Sequence, residues 1–549
     1  MTLLTGAITL SGLLALCWSM GNLAPRFLQQ EDHGVWTGLL VLLGLASLVQ
    51  FGFPIGSAAA RAIVCVVGLV GLIRSWRSTG SLADLRNALS VGTFGAMVLL
   101  VLAATALSLR AVTNADSGLY HFQAIEFLRS ERIIIGWSNL HIRLAHPSSA
   151  YQIAAVAENG LWGSDGYRLT AALLLVLTAL TFAGALRRLR DASGRPSDAV
   201  LVIALPCVWG MLLFQTAFLS GVSLDGTTAL VGVVAAGRAL HFMEQRNALS
   251  LFNAAVAAAI AYSLRPIHAW LILVLVLAFF MFRRHSELSL GPVALPVVFI
   301  GLFTARTWLL SGVPGFPVGP AMPWTPWALS SGEVARYRAD VGESARGSSE
   351  PLWVSFDRLA GWFEGLLPYL GEFAVTGLLG SALIVLLRNE WRSCRKLAVP
   401  ASAVLLVPVL IWLLFGPNFR FGMGPLAVLA ALPVLLLQIG GEHETFRSTS
   451  HALVRWTAIV LVLLFVVAPA LGSRRSDLLR SVSSPSSEPT GERPPVVEVA
   501  RNGGISISAP LGDDPFCGRE VWCVPSAGRA ERIEVRQFLL WNVVTRRAD

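Results

Sequence analysis

The first long polar stretch of this chain holds a dense group of side chains that can bind substrates or move protons. It runs from Asn114 to Ser149 with the sequence NADSGLYHFQAIEFLRSERIIIGWSNLHIRLAHPSS. Its candidate residues are Asp116, His121, Glu126, Asn139, His141, Arg143 and His146. A loop of this length between two apolar segments is usually functional or disordered. Apolar residues recur at helical spacing at Leu119, Phe122, Ile125 and Leu128, so we expect a folded segment with a helix that lies against the membrane.

Asp116 allows two interpretations from the sequence. It comes just before the predicted helix, where its carboxylate could cap the helix N-terminus. Alternatively, the carboxylate faces water at the membrane surface and acts as a general base for a hydroxyl group. We favour the second interpretation.

The other ionisable residues of this loop carry weaker signals. Glu126 is interpreted as a solvated charge on the helix, with Arg129 or Arg132 as its partner. The histidines His121, His141 and His146 are spaced too irregularly to predict a metal site. The sequence therefore leaves open whether a divalent cation assists Asp116, and it predicts no certain cofactor.

Three arginines share a position at the end of a predicted membrane span: Arg265, Arg306 and Arg420. An arginine at this boundary can simply extend its charged end into water. Arg265 and Arg420, however, are the only charges in their short loops, which favours a specific anionic partner. A lipid phosphate matches the guanidinium fork in geometry and charge. On this basis, alanine at Arg265 or Arg420 is expected to weaken donor use more than folding.

The elements that must position these residues are apolar spans. The chain is 54% hydrophobic and only 14% charged, whereas soluble domains are roughly a quarter charged. Runs of about 20 apolar residues, the length that crosses a bilayer, are found at 3–23, 35–53, 57–74, 88–109, 169–186, 198–215, 226–243, 249–263, 268–282, 291–309, 371–387, 397–415, 424–439 and 455–472. We expect an all-α polytopic membrane protein with about fourteen transmembrane helices.

The charge of the loops predicts the orientation of this domain. Arginine-rich short loops, such as 187–195 and 388–396, alternate with loops that are almost uncharged. By the positive-inside rule the arginine-rich loops are cytoplasmic. This makes 1–472 a transmembrane domain with two long external loops, 110–168 and 310–370. The net charge of +9 is thereby a topology signal, and nucleic-acid binding is not expected.

The C-terminal part, 473–549, has a different composition. A Ser/Pro-rich linker precedes two strand-like runs around Asn502-Gly503-Gly504, which is a hairpin signal. Cys517 and Cys523 follow, and we expect them to form a disulfide in an oxidising compartment. The sequence predicts a small, external, β-rich appendage.

Several segments resemble a known class of proteins. DSGLYHFQAIEFLR, followed by NLHIR and Pro-Ser-Ser, resembles a little-characterised group of large bacterial membrane proteins, as do RTWLLSGVPGFP and FRFG. An external first loop that opens with an acidic residue, followed by a helix along the membrane, resembles the GT-C class of polytopic glycosyltransferases. The resemblance implies a GT-C-like fold and transfer of a sugar from a polyprenyl-phosphate carrier on the outer face of the membrane. It also implies that Asp116 is the catalytic base.

These expectations combine into one functional hypothesis. The chain would be a glycosyltransferase of the cell inner membrane, with an extracytoplasmic site and a cell-envelope glycan, lipid or protein as acceptor. The expected substrate-binding residues are His121, Asn139, His141, Arg143, Arg265, Arg306 and Arg420. A transporter or flippase of lipid-linked saccharides is the alternative. ATP-driven transport by this chain alone is not expected, because the sequence contains no Walker loop.

Overall fold

The computed structural model describes residues 3–24, 34–79, 91–110, 112, 116–146, 148–160, 163–190, 194–214, 219, 222, 224–283, 291–317, 319–322, 324–346, 406–412, 419–431, 496–502, 505–510, 521–524, 533–538 and 541–546. These residues form a mainly helical protein with a small β portion near the C-terminus.

Helices, most of them apolar, form most of the molecule. In the N-terminal half they are α1 (Leu3–Gly21), α2 (Val35–Gly52), α3 (Ala58–Thr79) and α4 (Val91–Ser108), and the first long loop adds α5 (Phe122–Ser130) and α6 (Ser149–Ala157). The following helices are α7 (Leu169–Arg190), α8 (Pro196–Phe214), α9 (Leu224–Gln245), α10 (Ala248–Leu264), α11 (Ala269–Phe282), α12 (Ala294–Ser311), α13 (Ser331–Arg346) and α14 (Phe419–Ala430). Among the described residues, six helices are long and apolar enough to cross a membrane, and others are apolar but shorter.

The predicted spans from 3–23 to 291–309 each lie on one of these helices, which confirms that these segments are helical. The structure does not test the total of about fourteen, because 371–387 and 455–472 lie outside the described residues. Only parts of the predicted spans 397–415 and 424–439 are described, and both parts are helical.

Helix α9 is central to the bundle, since 94% of its apolar stretch is buried inside the protein. It packs against α8, α10 and α14. Small residues on α9 also allow other elements to approach it closely. A Cβ atom at Gly232 would lie 2.8 Å from the His268 ring. Small residues on packed membrane helices serve this purpose in general. The glycine thus lets the turn that contains His268 approach α9 closely.

The charged residues at the two ends of α9 lie far apart. At its C-terminal end, Ser197 donates a hydrogen bond to Glu244 (2.7 Å), and Arg188 pairs with the nearby Asp198 (2.7 Å). At its N-terminal end, Asp225 pairs with Arg265. The 22 residues of α9 span about 33 Å. The arginine-rich and arginine-poor loops around α9 therefore lie at opposite ends of the bundle.

The first long loop is folded and lies over the ends of the N-terminal helices. A π-helical turn, Ser117–His121, leads into α5, and Phe122, Ile125 and Leu128 are buried, which confirms the predicted helix. The loop is joined to the α2–α3 connection by the hydrogen bond from Ile55 N to Leu128 O (2.8 Å).

The second long loop contains a helix that the sequence analysis did not predict. Helix α13 is polar, so it has no strong apolar periodicity to reveal it. Ser330 caps its N-terminus: Glu333 N donates to Ser330 Oγ (3.2 Å), and the hydroxyl donates to the Glu333 carboxylate (3.1 Å). The Ser-x-x-Glu spacing was the available signal.

The C-terminal part forms two antiparallel hairpins. Strands β1 (Val496–Asn502) and β2 (Ile505–Pro510) pair around Gly503-Gly504, as predicted, and β3 (Ile533–Phe538) pairs with β4 (Trp541–Arg546). Cys523 is disulfide-bonded, whereas the other described cysteines are free. Cys517 lies outside the described residues, so the Cys517–Cys523 pairing stays a prediction.

The β portion is not a separate appendage, however. Ile135 of the first loop forms a parallel bridge with Val543 of β4, with Ile135 N donating to Asn542 O (2.9 Å) and Val544 N donating to Ile135 O (2.8 Å). Buried side chains of the hairpins belong to the same apolar core as the bundle. The sequence could not reveal this docking, because it depends on contacts between residues about four hundred positions apart.

Candidate functional site

Asp116 does not cap the helix that follows it. Its backbone is itself helical (φ −59°, ψ −23°), and its side chain makes no capping hydrogen bond among the described residues. Instead, Arg143 Nη1 donates to Asp116 Oδ1 at 2.5 Å. The side chain of Asp116 remains 25% exposed and that of Arg143 38% exposed. The capping interpretation is therefore wrong, and the carboxylate is partly exposed.

The local fold of the loop brings Arg143 to Asp116. Arg143 lies on a short 3-10 turn, Ile142–Ala145, and its guanidinium also lies 5.6 Å from the centre of the Tyr120 ring. A partly exposed ion pair contributes only about 0–1 kcal/mol to stability. The pair therefore orients the carboxylate more than it holds the loop together.

A second ion pair, Asp225–Arg265, lies in the same neighbourhood. Asp225 is in the first turn of α9, and Arg265 follows the last residue of α10. The Arg265 guanidinium also lies 4.9 Å from the centre of the Phe421 ring on α14. The Asp225 side chain is only 5% exposed. Three helices thus meet at Arg265.

Charges from both ion pairs influence the pKa values of the same tyrosine residues. Burial raises the pKa of Tyr120, the charge of Asp116 raises it further, and the charges of Arg265 and Arg143 lower it. The pKa of Tyr151 is also raised by burial, and both Arg265 and Asp116 influence it. Ser148 Oγ of the first loop also donates to the carbonyl oxygen of Leu264 (2.7 Å), the residue before Arg265. The structure therefore brings Arg265 to the first loop.

His121 lies inside this cluster as a neutral ring. It is 3% exposed, its ring centre lies 4.4 Å from that of Tyr120 and 5.6 Å from that of Tyr151, and burial lowers its pKa to about 3. At neutral pH it therefore adds no positive charge to the site. His141 lies at the edge of the same aromatic group, with its ring centre 6.5 Å from that of Tyr120.

The buried histidine predicts a dependence of stability on pH. Below pH 6.5, the ordinary pKa, the unfolded chain binds a proton at His121 that the folded chain does not bind. Stability should therefore fall as the pH decreases from 6.5 towards 3. His121→Phe keeps a ring of similar size and should flatten this dependence. Thermal unfolding at about pH 7.5 and about pH 5.5 measures it, and an equal pH effect in both proteins would contradict this role for His121.

His146 connects the two long loops. Its Nε2 atom lies 2.6 Å from the Tyr337 hydroxyl on α13, and its ring centre lies 5.0 Å from that of Phe316. Tyr337 also influences the pKa of Tyr120. The second loop therefore contributes to the surroundings of the ion pairs.

Asn139 is a structural connector in this geometry. It is 1% exposed, and its amide nitrogen lies within hydrogen-bond distance of the carbonyl oxygens of Gly136 (3.1 Å), Trp327 (3.0 Å) and Val544 (3.0 Å). It thereby joins the first loop, the second loop and β4. Its predicted role in substrate binding stays a prediction, and the contacts shown are all structural.

Arg306 and Arg420 are placed differently from Arg265. Arg306 lies on α12, is 2% exposed, and donates from Nε to Gln50 Oε1 on α2 (2.9 Å). It is buried between helices and does not extend into water. Arg420 is in the first turn of α14, next to the Phe421 that contacts Arg265, but its side chain lies outside the described residues. Phosphate binding by Arg306 and Arg420 stays a prediction.

Sequence reasoning missed Asp225, Tyr120 and Tyr151 as members of the site. Asp225 is the only charge in the stretch 216–225, which is the same signal that identified Arg265. Its pairing with Arg265 also changes the expectation for alanine at Arg265, because that change would remove the arginine partner of a buried carboxylate. No group of three or more metal-ligating side chains is found among the residues that the structure describes.

Comparison with known proteins gives one family. No curated protein and no solved structure matches the chain significantly. A family model described as "Domain of unknown function (DUF8201)" matches residues 4–427, which is more than half of the chain and extends from α1 into α14. It includes both ion pairs and Arg420, and it ends before the β hairpins. The chain therefore belongs to the family described as Domain of unknown function (DUF8201).

Proposed function

We propose that this protein is an integral-membrane glycosyltransferase with a polyprenyl-phosphate sugar as donor and a cell-envelope molecule as acceptor. The observation that carries the proposal is the accessible Asp116 carboxylate, oriented by Arg143 and close enough to Arg265 for both to act on Tyr120. A carboxylate and two guanidinium groups lie there at the end of a bundle of apolar helices. This combination suits a substrate with a lipid tail, a phosphate and a sugar.

The proposed reaction is a single displacement with inversion. Asp116 accepts the proton of the acceptor hydroxyl while the acceptor oxygen forms a bond to the anomeric carbon. The bond between this carbon and the phosphate oxygen breaks, and polyprenyl phosphate leaves with its bonding electron pair. The phosphate gains one negative charge in this step. Arg265, and Arg143 on the more exposed side, would stabilise that charge by hydrogen bonds.

In such a site, the positive charge of each arginine is partly neutralised by a carboxylate before the substrate binds. Each guanidinium already has a carboxylate partner, Asp225 for Arg265 and Asp116 for Arg143. These partners hold the arginines in place before the substrate arrives. The phosphate then meets donors whose positions are fixed, which is what favours a developing charge over the ground state.

Sugar transfer by the purified protein tests the proposal. Proteoliposomes would receive polyprenyl-phosphate sugars together with glycan, lipid and protein acceptors, and mass spectrometry would follow the products. We expect a glycosylated acceptor and free polyprenyl phosphate in equal amounts. Neither product with any donor would argue against the transferase.

One observation favours the alternative, a transporter or flippase of lipid-linked saccharides. Arg238 and Arg306 are buried within membrane-length helices, at 6% and 2% exposure, and buried charges of this kind often mark transport pathways. Arg238, however, stacks on Trp36, 5.6 Å from the ring centre, which is a structural contact. Movement of the intact donor between leaflets without any sugar transfer would identify this alternative.

The proposal also requires an extracytoplasmic first loop, which surface labelling tests. Ser130 in this loop and Arg190 at the end of α7 are both exposed. In a background without reactive native cysteines, an impermeant maleimide on intact cells should label Ser130→Cys and not Arg190→Cys. The opposite pattern would place the site in the cytoplasm, where a lipid-linked donor is no longer required.

A further inference from the structure

Gln123 connects the helix next to the candidate site to the C-terminal part of the chain. It is fully buried, and its Nε2 atom donates to the carbonyl oxygens of Val521 (3.1 Å) and Cys523 (3.0 Å). An amide nitrogen carries two hydrogens, so both are used by one segment, Val521–Val524. A single side chain thus makes a two-point contact across nearly four hundred residues of sequence.

The alternation of carbonyl groups explains why this contact is specific. On one edge of the segment, Ser508 N donates to Trp522 O (2.9 Å) and Val524 N donates to Ser508 O (2.9 Å), so this edge pairs with β2. The carbonyls of Val521 and Cys523 point to the opposite edge, as in any strand. Gln123 occupies that edge in place of a further strand.

The same C-terminal part holds the other half of the site. Asn139 donates to Val544 O (3.0 Å), and Ile135 pairs with Val543. These residues directly precede the turn that carries Arg143, whereas Gln123 follows the π-helical turn that begins after Asp116. Both partners of the ion pair are therefore anchored, within seven residues of sequence, to the C-terminal part of the chain.

We propose that Gln123 is a positioning residue through which the disulfide-bonded segment Val521–Val524 sets the position of Asp116 against Arg143. The inference rests on the proposed function for its kinetic consequence. The C-terminal hairpins, which lie beyond the part of the chain that the family model matches, are then a required part of the site. A helix held at Gln123 cannot rotate about its axis, so the residues of the preceding turn keep their direction.

Gln123→Leu tests this role against a matched control. The control is Gln152→Leu, since Gln152 is 1% exposed and also donates from Nε2, in its case to Ser47 Oγ on α2 (2.8 Å). Both changes remove a buried amide. Hydrogen exchange should become faster at 116–131 and 521–524 in Gln123→Leu only. Unchanged exchange at 116–131 would overturn the proposal without any measurement of sugar transfer.

The kinetic readout separates positioning from binding. A small displacement of a catalytic group lowers turnover by up to roughly 10²-fold, so kcat of Gln123→Leu should fall tenfold or more while KM for the lipid-linked donor stays within about twofold of wild type. Gln152→Leu should keep its kcat. Equal kcat values in the two variants would overturn the role of Gln123.

Reduction of the folded wild-type protein tests the same proposal without a substitution that could disturb folding. Breaking the disulfide at Cys523 should reproduce the faster exchange at 116–131, and reoxidation should reverse it. If hydrogen exchange at 116–131 does not change on reduction, the proposed role of the disulfide is contradicted. If no donor supports transfer while the exchange pattern is as expected, the positioning stands and the proposed function fails.

Discussion

Asp116→Asn is expected to lower sugar transfer by roughly 10²–10⁴-fold, the usual loss when a general base is removed. Asparagine keeps the size of the side chain but cannot accept a proton at neutral pH. The folded state should change little for two reasons. The Asp116–Arg143 pair is partly exposed and contributes only about 0–1 kcal/mol, and the native carboxylate makes no capping bond among the described residues. Initial rates of product formation and a thermal unfolding curve measure the two effects.

Glu126→Gln is the matched control. Glu126 lies on α5, which follows the turn after Asp116. It pairs with Arg129 at 3.0 Å, with 25% of its side chain exposed, as for Asp116. Its loss should alter transfer by less than about threefold, because a surface-type pair on a helix contributes only a few tenths of a kcal/mol. A folded Asp116→Asn protein with nearly full activity would show that the base is a different group.

Arg265→Ala is expected to destabilise the protein strongly. The Asp225 carboxylate is 5% exposed, and removal of one partner of a buried ion pair costs about 3–5 kcal/mol. Arg265 itself is 25% exposed, so we expect the lower end of this range. Thermal unfolding in detergent measures the loss.

A neutral replacement of both partners separates stability from donor use. The double variant Asp225→Asn/Arg265→Gln removes the charge of both side chains, so it should recover most of the stability lost in Arg265→Ala. It should still bind the donor weakly, since a charge-assisted contact to phosphate contributes roughly 1.5–3 kcal/mol. Full stability of Arg265→Ala would mean that Asp225 does not depend on Arg265. Full donor use by the stable double variant would exclude Arg265 from phosphate binding.

The membrane helices were predictable because their signal is local. An apolar run of about 20 residues can be recognised without knowledge of its neighbours in the fold. The predicted spans up to 291–309 agree with α1–α4 and α7–α12 within a few residues. The Asn-Gly-Gly hairpin is local in the same sense. Helix α13 was missed because its surface is polar and only the Ser330 cap marks its start.

The partners within the site were not predictable from a single sequence. Asp116 was identified by its place in the polar loop before the predicted helix, and Arg265 as the only charge in its short loop. Their partners, Arg143 and Asp225, depend on how the loop and the helix ends meet. The same limit applies to Arg306. Its place near the end of a span suggested substrate binding or contact with water, whereas the packing of α12 against α2 gives it Gln50 as a partner.

The docking of the hairpins on the first loop leaves an even weaker signal in the sequence. It uses backbone groups of Ile135 and the amides of Gln123 and Asn139. Buried amides have no periodicity, so nothing in the pattern distinguishes these two from solvent-exposed polar residues.

The central claim is that the ion pairs at the end of the bundle bind the phosphate of a lipid-linked sugar. An experimental structure of the protein with a polyprenyl-phosphate ligand tests it most directly. We predict that the phosphate lies within hydrogen-bond distance of the Arg265 guanidinium, with the lipid tail along the apolar helices and Asp116 facing the space next to the phosphate. A phosphate bound at the arginine-rich end near Arg188, or a lipid tail that reaches neither Arg265 nor Asp116, would contradict the account.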